Sequence, residues 1–519
     1  MFKFLAFWTA TVLLCDLCVG LKVLVVFPCP SRSHAILGEG FVNNLLRAGH
    51  EVTFITTDIM KNSSKNLRQI DLSENINLLP GKYNFSFLLP NITNIILPFS
   101  AGLNMMFNIT MATVLNTEVQ KLLHDPRESF DAVLAEWMFS EIYSGFASVF
   151  NCPLIWSSSM EPHHLVVSLM DEDPNPAYIA DAFSSEVPPF NLWKRVFSLY
   201  TLLDIKYDKW YQVRHFDNEA YDKAFSAAAA KRGLELPSLD EARFNGSLMF
   251  SNSYPPLGPT GHLPQNIIQI AGYHIGEPKP LPEILQRIMD NAKYGVIYFS
   301  MGSVLKSKDI PKVITAELLE TFKKMKQVVI WKFEEQLPGV PENVHIMDWA
   351  PQQSILAHPN CVLFISHGGL LSTTEAVNFG VPIIGVPMYA DQFGNINRIV
   401  AKGFGKRVDL DFNFCSKLED AIKDIVGSST YQDRVKELSL IFHERVVPPG
   451  TEIVHWVEHV VRTRGAPHLR SPALLLPWYQ KLYLDFAALV FVFLYFIIFA
   501  IKFIVSSYRK TCTIKLKKI

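Results

Sequence analysis

The chain has 519 residues, 49% of them hydrophobic and 19% charged, with a formal net charge of −1. That length can supply two or more full cores, and the balanced charge argues against a nucleic-acid partner. Its 7 cysteines form no disulfide framework, and no spacing of His, Cys, Asp or Glu reads as a metal site.

The first segment, MFKFLAFWTATVLLCDLCVG, has an early Lys, an apolar run and small residues at its end, so residues 1–20 read as a signal peptide. LKVLVVFP follows, a continuous apolar run suited to a parallel strand buried on both faces. The turn CPSRSH and the helical pattern AILGEGFVNNLLRAG lead to a second strand, HEVTFITT. FDAVLAEW, with Glu136 near its end, and NCPLIWSSS read as two more strands. This β-α-β order gives residues 21–250 a Rossmann-like reading. The stretches 85–120 and 160–230 are apolar and aromatic; they read equally as helices on the sheet or as walls of an apolar pocket. A Pro/Gly-rich linker spans 251–283.

A second Rossmann-like domain, 284–465, restarts with the strand GVIYFSMGS, a helix near Lys312–Lys326 and the strands VVIWKF and VHIMDW. It ends with GKRVDL and the helix SKLEDAIKDIV. A juxtamembrane segment, 466–485, leads to an apolar run from Phe486 to Val505, long enough to span a bilayer core. The tail, 506–519, is basic, with Lys515 and Lys517 placed as in a dilysine retrieval signal. By the positive-inside rule the tail is cytosolic and the body lumenal, a single-pass type I arrangement. The expected location is the endoplasmic reticulum membrane. Asn62, Asn84, Asn91, Asn108 and Asn245 head glycosylation tripeptides, consistent with a lumenal body. Whether the chain assembles with itself or with a relative is open.

The most informative stretch runs from Trp349 to Gln392, WAPQQSILAHPNCVLFISHGGLLSTTEAVNFGVPIIGVPMYADQ. A buried strand (VLFIS), a glycine turn (HGG), a helix (STTEAVNFG) and a second strand (VPIIGVP) make one βαβ unit. Glycines allow close backbone approach, and a helix N-terminus offers free N–H groups to a phosphate. Trp349 could stack on a base and Glu375 accept ribose hydroxyls, although Ser372-x-x-Glu375 also reads as a helix capping box.

Trp349, Pro351, Gln352, His367, Gly368, Gly369, Ser372, Glu375, Pro382, Pro387, Asp391 and Gln392 together resemble the signature of the UDP-glycosyltransferases. HGGLLSTTEA is similar to the variant of the family's arthropod branch. The resemblance implies the GT-B fold, two Rossmann-like domains around a cleft, and transfer of a sugar from UDP to a hydroxyl of a small lipophilic acceptor. It implies inversion without metal or cofactor, the UDP-sugar being a co-substrate. His34 would be the base, and Glu136, where the family often has Asp, its carboxylate partner. His367 and the backbone from Gly369 to Ser372, with Gly302 and Ser303, would hold the diphosphate. Trp349 would stack on uracil, the Ala350 backbone would read its edge, and Gln352 and Glu375 would hold the ribose. Asp391 and Gln392 would bind the sugar.

Leu371 stands where vertebrate-like members carry Asn, and Lys332 where many carry Arg. Glucose is the favoured sugar; the alternatives are glucuronic acid as donor sugar, or a lipophile-binding protein without turnover. Asp171-Glu172-Asp173 and Asp409-Leu410-Asp411 have the Asp-x-Asp form of metal-dependent sugar transferases, but neither lies in a βαβ unit, so both read as solvated loops.

Overall fold

The computed structural model describes residues 20–516, apart from 62–63, 80–98, 182–183, 185, 259–260 and 304–306. The expected signal peptide, Asn62, Asn84, Asn91 and the end of the basic tail therefore lie outside the described residues. The chain divides into a body through Arg470 and a C-terminal unit from Ser471.

The body is built on two parallel sheets with helices. The first contains β1 (Lys22–Phe27), β2 (Glu51–Thr56), β3 (Leu67–Asp71), β4 (Ala132–Trp137), β5 (Leu154–Ser158), β6 (Gly246–Ser251) and β7 (Ile267–Gln269), in the order β3-β2-β1-β4-β5-β6-β7. The second contains β8 (Val296–Ser300), β9 (Val328–Lys332), β10 (Val344–Met347), β11 (Cys361–Ser366), β12 (Ile383–Gly385) and β13 (Gly405–Arg407), in the order β10-β9-β8-β11-β12-β13. In each sheet the first strand in sequence is central and the order reverses beside it, the topology that opens a crevice at the strands' carboxyl ends.

The central strands are apolar on both faces because helices cover both. All of VLVVF in β1 is buried, with Val23 in register with Val52 on one side and Ala132 on the other. β6 and β7 extend the first sheet into segments that carry little periodic signal. β7 lies inside the Pro/Gly-rich stretch expected to be linker, and pairs in parallel with β6 from Met249↔Ile267 to Ser251↔Gln269.

The helix Pro449–Arg462 follows the second sheet in sequence but packs on the first. Its Ile453, Val457 and Val460 share a core with Val23, Phe41 and Leu248. The body's C-terminal end thus straps back over the N-terminal sheet, so the expected boundary at 465 does not coincide with a change of core.

The irregular segments resolve into helices that line a cavity. Phe99–Val114 turns Leu103, Met106 and Ile109 inward. Leu192–Gln212, capped by the Asn191 side chain on the Lys194 N–H at 3.0 Å, buries little and leaves Trp193 77% exposed. The Asp-x-Asp segments are surface features: Asp173 pairs with Lys206, Asp409 with Arg407 and Asp411 with Lys417.

In the C-terminal unit, the helix Leu484–Leu516 contains a candidate span, Leu484–Arg509, of mean hydropathy 2.8 and with none of its most apolar window buried. The run is long and apolar enough to cross a membrane, and a helix is the form in which such a run satisfies its own backbone hydrogen bonds in lipid.

Candidate active site

A cavity of about 1270 Å³ opens between the two sheets, lined by residues of both. His34 faces it from the N-terminal half, with Glu136 buried behind, and Trp349, His367 and Asp391 line it from the other.

His34 was expected in the loop after β1. Instead it occupies the first turn of the helix Arg32–Arg47, because Ser31 takes the extended N-cap conformation and starts the helix three residues earlier in the chain. Its Nδ1 is hydrogen-bonded to Oε1 of Glu136, which is fully buried at the end of β4. The same oxygen accepts the Ser159 hydroxyl from the segment after β5. The extra methylene of Glu relative to Asp thus bridges to both partners. Burial works to lower the His34 pKa, but the Cys29 sulfur and the Glu136 carboxylate, through charge and hydrogen bonds, raise it well above the ordinary 6.5. The near-ordinary value expected for this imidazole is thus replaced by a raised one.

The second half contributes an exposed indole, a bonded carboxylate–amide pair and a helix N-terminus to the cavity wall. Trp349 is 53% exposed beside the buried Ala350, and its ring has the Lys332 ammonium 5.8 Å from its centroid. Lys332 also donates to the Gly302 carbonyl at 3.0 Å and to Glu334 at 2.6 Å, so its single point charge sits at the mouth of the FSMGS turn.

Gln352 and Glu375 are joined directly. The Gln352 amide donates to Glu375 Oε2 at 2.6 Å and to Ser372 Oγ at 3.0 Å, and Gln353 donates to Glu375 Oε1 at 2.8 Å. The capping-box alternative is not realised: the helix is Leu370–Asn378 with Gly369 as N-cap, which puts Ser372 inside the first turn.

His367 is held between two glycines. A Cβ on Gly302 would lie 2.6 Å from His367 Cε1, and one on Gly369 2.6 Å from Nε2. Gly302 also has φ +89°, which glycine adopts without strain. Burial, aided by the nearby Lys332 charge, pushes the His367 pKa down to about 4, so the ring is a neutral donor at physiological pH. Its buried Nδ1 has no hydrogen-bond partner among the described residues. Ser303 lines the same wall. Leu371, expected among the donor-binding positions, offers only an apolar side chain and packs against the core of the first sheet.

Asp391 and Gln392 begin the helix Gln392–Ala401. Gln392 Oε1 accepts from the backbone of Met388 (2.9 Å) and Tyr389 (3.2 Å), so this oxygen braces the turn. Asp391 accepts from Asn395 at 2.9 Å; burial raises its pKa, with Asn395, Arg398 and His34 opposing. Asp391 and His34 both line the cavity.

Residues that no sequence signature marked tie the halves together. Arg398, one turn past Asn395 on the same helix, forms a 2.7 Å ion pair with buried Glu161 from the segment after β5. The only available cue was the Asp391-Asn395-Arg398 spacing, which puts the three on one helical face. No metal-ligand spacing was visible either, yet His163, His164 and Asp181 bring one donor atom each within 4.8 Å of the others. Asn108 is exposed on its helix, and Asn245 is exposed before β6 with its side chain bonded to Arg470.

Residues 22–518 match the family described as UDP-glucoronosyl and UDP-glucosyl transferase. The chain belongs to this family. This UDP-glycosyltransferase is 32% identical over 496 residues to UDP-glucosyltransferase 2 of Dactylopius coccus, covering 94% of this chain and 93% of the relative. It is 29% identical over 418 residues to UDP-glucuronosyltransferase 2B1 of Rattus norvegicus, covering 79% and 76%. Among solved structures it resembles Arabidopsis thaliana UGT89C1 complexed with quercetin, with a TM-score of 0.57 at 17% identity, covering 85% of this chain and 100% of that one. The glycosyltransferase CalG4 shares the fold at a TM-score of 0.54 and 16% identity, covering 85% and 99%. The enzyme is a GT-B glycosyltransferase with a UDP-sugar as donor.

Proposed function

We propose that this UDP-glycosyltransferase transfers glucose from UDP-glucose to a hydroxyl of a small lipophilic acceptor, with inversion, and that His34 is the base. The observation that carries this reading is that His34, backed by buried Glu136, and the wall from Trp349 to Glu375 face one cavity.

In this reading Glu136 holds His34 Nδ1, which leaves the other ring nitrogen for the acceptor. That nitrogen takes the hydroxyl proton as the oxygen attacks the anomeric carbon. The bond from that carbon to the diphosphate oxygen breaks, and UDP leaves with the electron pair. The positive imidazolium is stabilised by Glu136. The leaving charge develops near the His367 N–H, the N-terminus of the Leu370–Asn378 helix and the Lys332 ammonium, fixed donors that need no reorganisation. Trp349 stacks on uracil beside the Ala350 backbone, Gln352 and Glu375 hold the ribose, and Asp391 and Gln392 take the sugar hydroxyls.

Glucose is favoured over glucuronic acid on two grounds. Dactylopius coccus relatives at 32% identity include a protein named as a UDP-glucosyltransferase. The sugar end also carries Asp391 on the cavity wall, and Arg407, a cation of the same wall, is already paired with Asp409. A second carboxylate would meet repulsion there, whereas a neutral hexose would not. The acceptor reading rests on the aromatic and Met-rich walls from Phe99, Met105, Met106, Phe139 and Phe197. The similar fold that binds quercetin offers the same class of guest.

The apolar helix and basic tail support a single-pass anchor in the endoplasmic reticulum with a lumenal body, a placement suited to conjugating lipophiles for detoxification. Release of UDP from UDP-glucose, but not from UDP-glucuronic acid, in the presence of phenolic acceptors tests the donor assignment. Equal release from both would overturn it.

A further inference from the structure

His163 and His164 are consecutive residues of the cavity wall, and sequence gives them no metal-binding signature. Their backbone explains how they act together. His163 is extended (φ −137°, ψ 168°) and His164 opens the short helix His164–Val167. An unbroken strand would send neighbouring side chains to opposite faces. The switch to helix between them cancels that alternation, and the two rings meet at 78° with centroids 6.1 Å apart.

Asp181 closes the group, its Oδ2 2.6 Å from His164 Nδ1. His163 is 1% exposed and His164 5%, and all three residues line the cavity. One donor atom from each lies within 4.8 Å of the others.

Two imidazoles and one carboxylate suit zinc and its neighbours rather than magnesium or calcium, which prefer all-oxygen shells. Three protein ligands also leave a tetrahedral ion one position for water or a guest. We propose that His163, His164 and Asp181 form a binding site for a divalent transition-metal ion of the zinc type in the acceptor wall, with its remaining position open to the cavity. The ion takes no part in the sugar transfer described above. Its open position would receive a single oxygen of a bound molecule, such as a phenolate.

Cobalt(II) titration of the full-length protein, prepared in detergent without a polyhistidine tag and stripped by chelator, tests the site. The expected result is a visible absorption of tetrahedral cobalt that saturates at one ion per chain and is displaced by zinc. His163→Asn with His164→Asn should abolish it, and Asp181→Asn should weaken affinity about 10- to 100-fold, whether the carboxylate binds the ion or orients His164. His34→Ala should keep it. UDP binding by calorimetry identifies the folded variants. No cobalt band in the unsubstituted protein, a band that survives in the folded double variant, or a sulfur-to-cobalt charge-transfer band marking a cysteine site would each overturn the proposal.

Discussion

Glu136→Gln keeps the shape of a fully buried side chain and removes only its charge. An opposite charge within about 4–6 Å shifts a pKa by about 1–3 units, so the His34 pKa should fall by that amount, or about 1.4–4 kcal/mol. The base must be neutral to accept a proton. Because the His34 pKa is raised, the rate of the unsubstituted enzyme should climb with pH through a midpoint well above 6.5. In the variant that midpoint should move down by about 1–3 units. The high-pH plateau should fall by about 10²–10⁴-fold, the usual contribution of a positioned base.

The same linkage sets stability. A raised histidine pKa stabilises the fold fully below about 6.5 and loses that contribution as pH rises through the folded value. Glu136→Gln should therefore cost more stability at pH 6 than at pH 9. The assay is UDP release across that pH range, with UDP affinity measured separately by calorimetry. A plateau within about threefold of the unsubstituted enzyme and an unshifted midpoint would refute the dyad.

Three further outcomes follow from the geometry. Trp349→Ala should weaken UDP binding by about 1–3 kcal/mol, the usual worth of base stacking on an aromatic ring, read by calorimetry; unchanged affinity would remove uracil from this ring. Gly302→Ala places a Cβ 2.6 Å from His367 Cε1 at a backbone φ of +89°, so it should raise KM for the UDP-sugar and lower the melting temperature. Glu161→Ala leaves Arg398 without its 2.7 Å partner. Breaking such a buried pair costs about 3–5 kcal/mol, and thermal unfolding that matches the unsubstituted protein would show the link between the halves to be idle.

The βαβ unit of the second sheet was legible because its elements are local in sequence. The strand, turn, helix and strand from Cys361 to Gly385 are consecutive, so glycine turns and apolar runs announce both the elements and the pocket they build. The paired carboxylate and amide, Glu375 and Gln352, lie on elements already marked by the same stretch. The first sheet was not legible in this way. β7 is three residues long inside a Pro/Gly-rich stretch, and the helix Pro449–Arg462 returns to a sheet far from it in sequence. Neither leaves a periodic signal that reveals its partner.

Side-chain partnerships across sequence were hidden for the same reason. His34 meets Glu136 across 102 residues and Glu136 meets Ser159 only through adjacent strand ends. His163, His164 and Asp181 converge through a local change of backbone rather than through spacing. The His34 position was anticipated, but its helical setting was not, since the CPSRSH turn gives no apolar period and Ser31 alone marks the cap.

The central claim is that one cavity joins a base from the first half to a nucleotide site in the second. Turnover of UDP-glucose with a panel of phenols by His34→Ala, set beside the UDP affinity of the same variant, tests it most directly. The account predicts turnover reduced by at least about 10²-fold with UDP affinity unchanged. Turnover at the unsubstituted rate would contradict it.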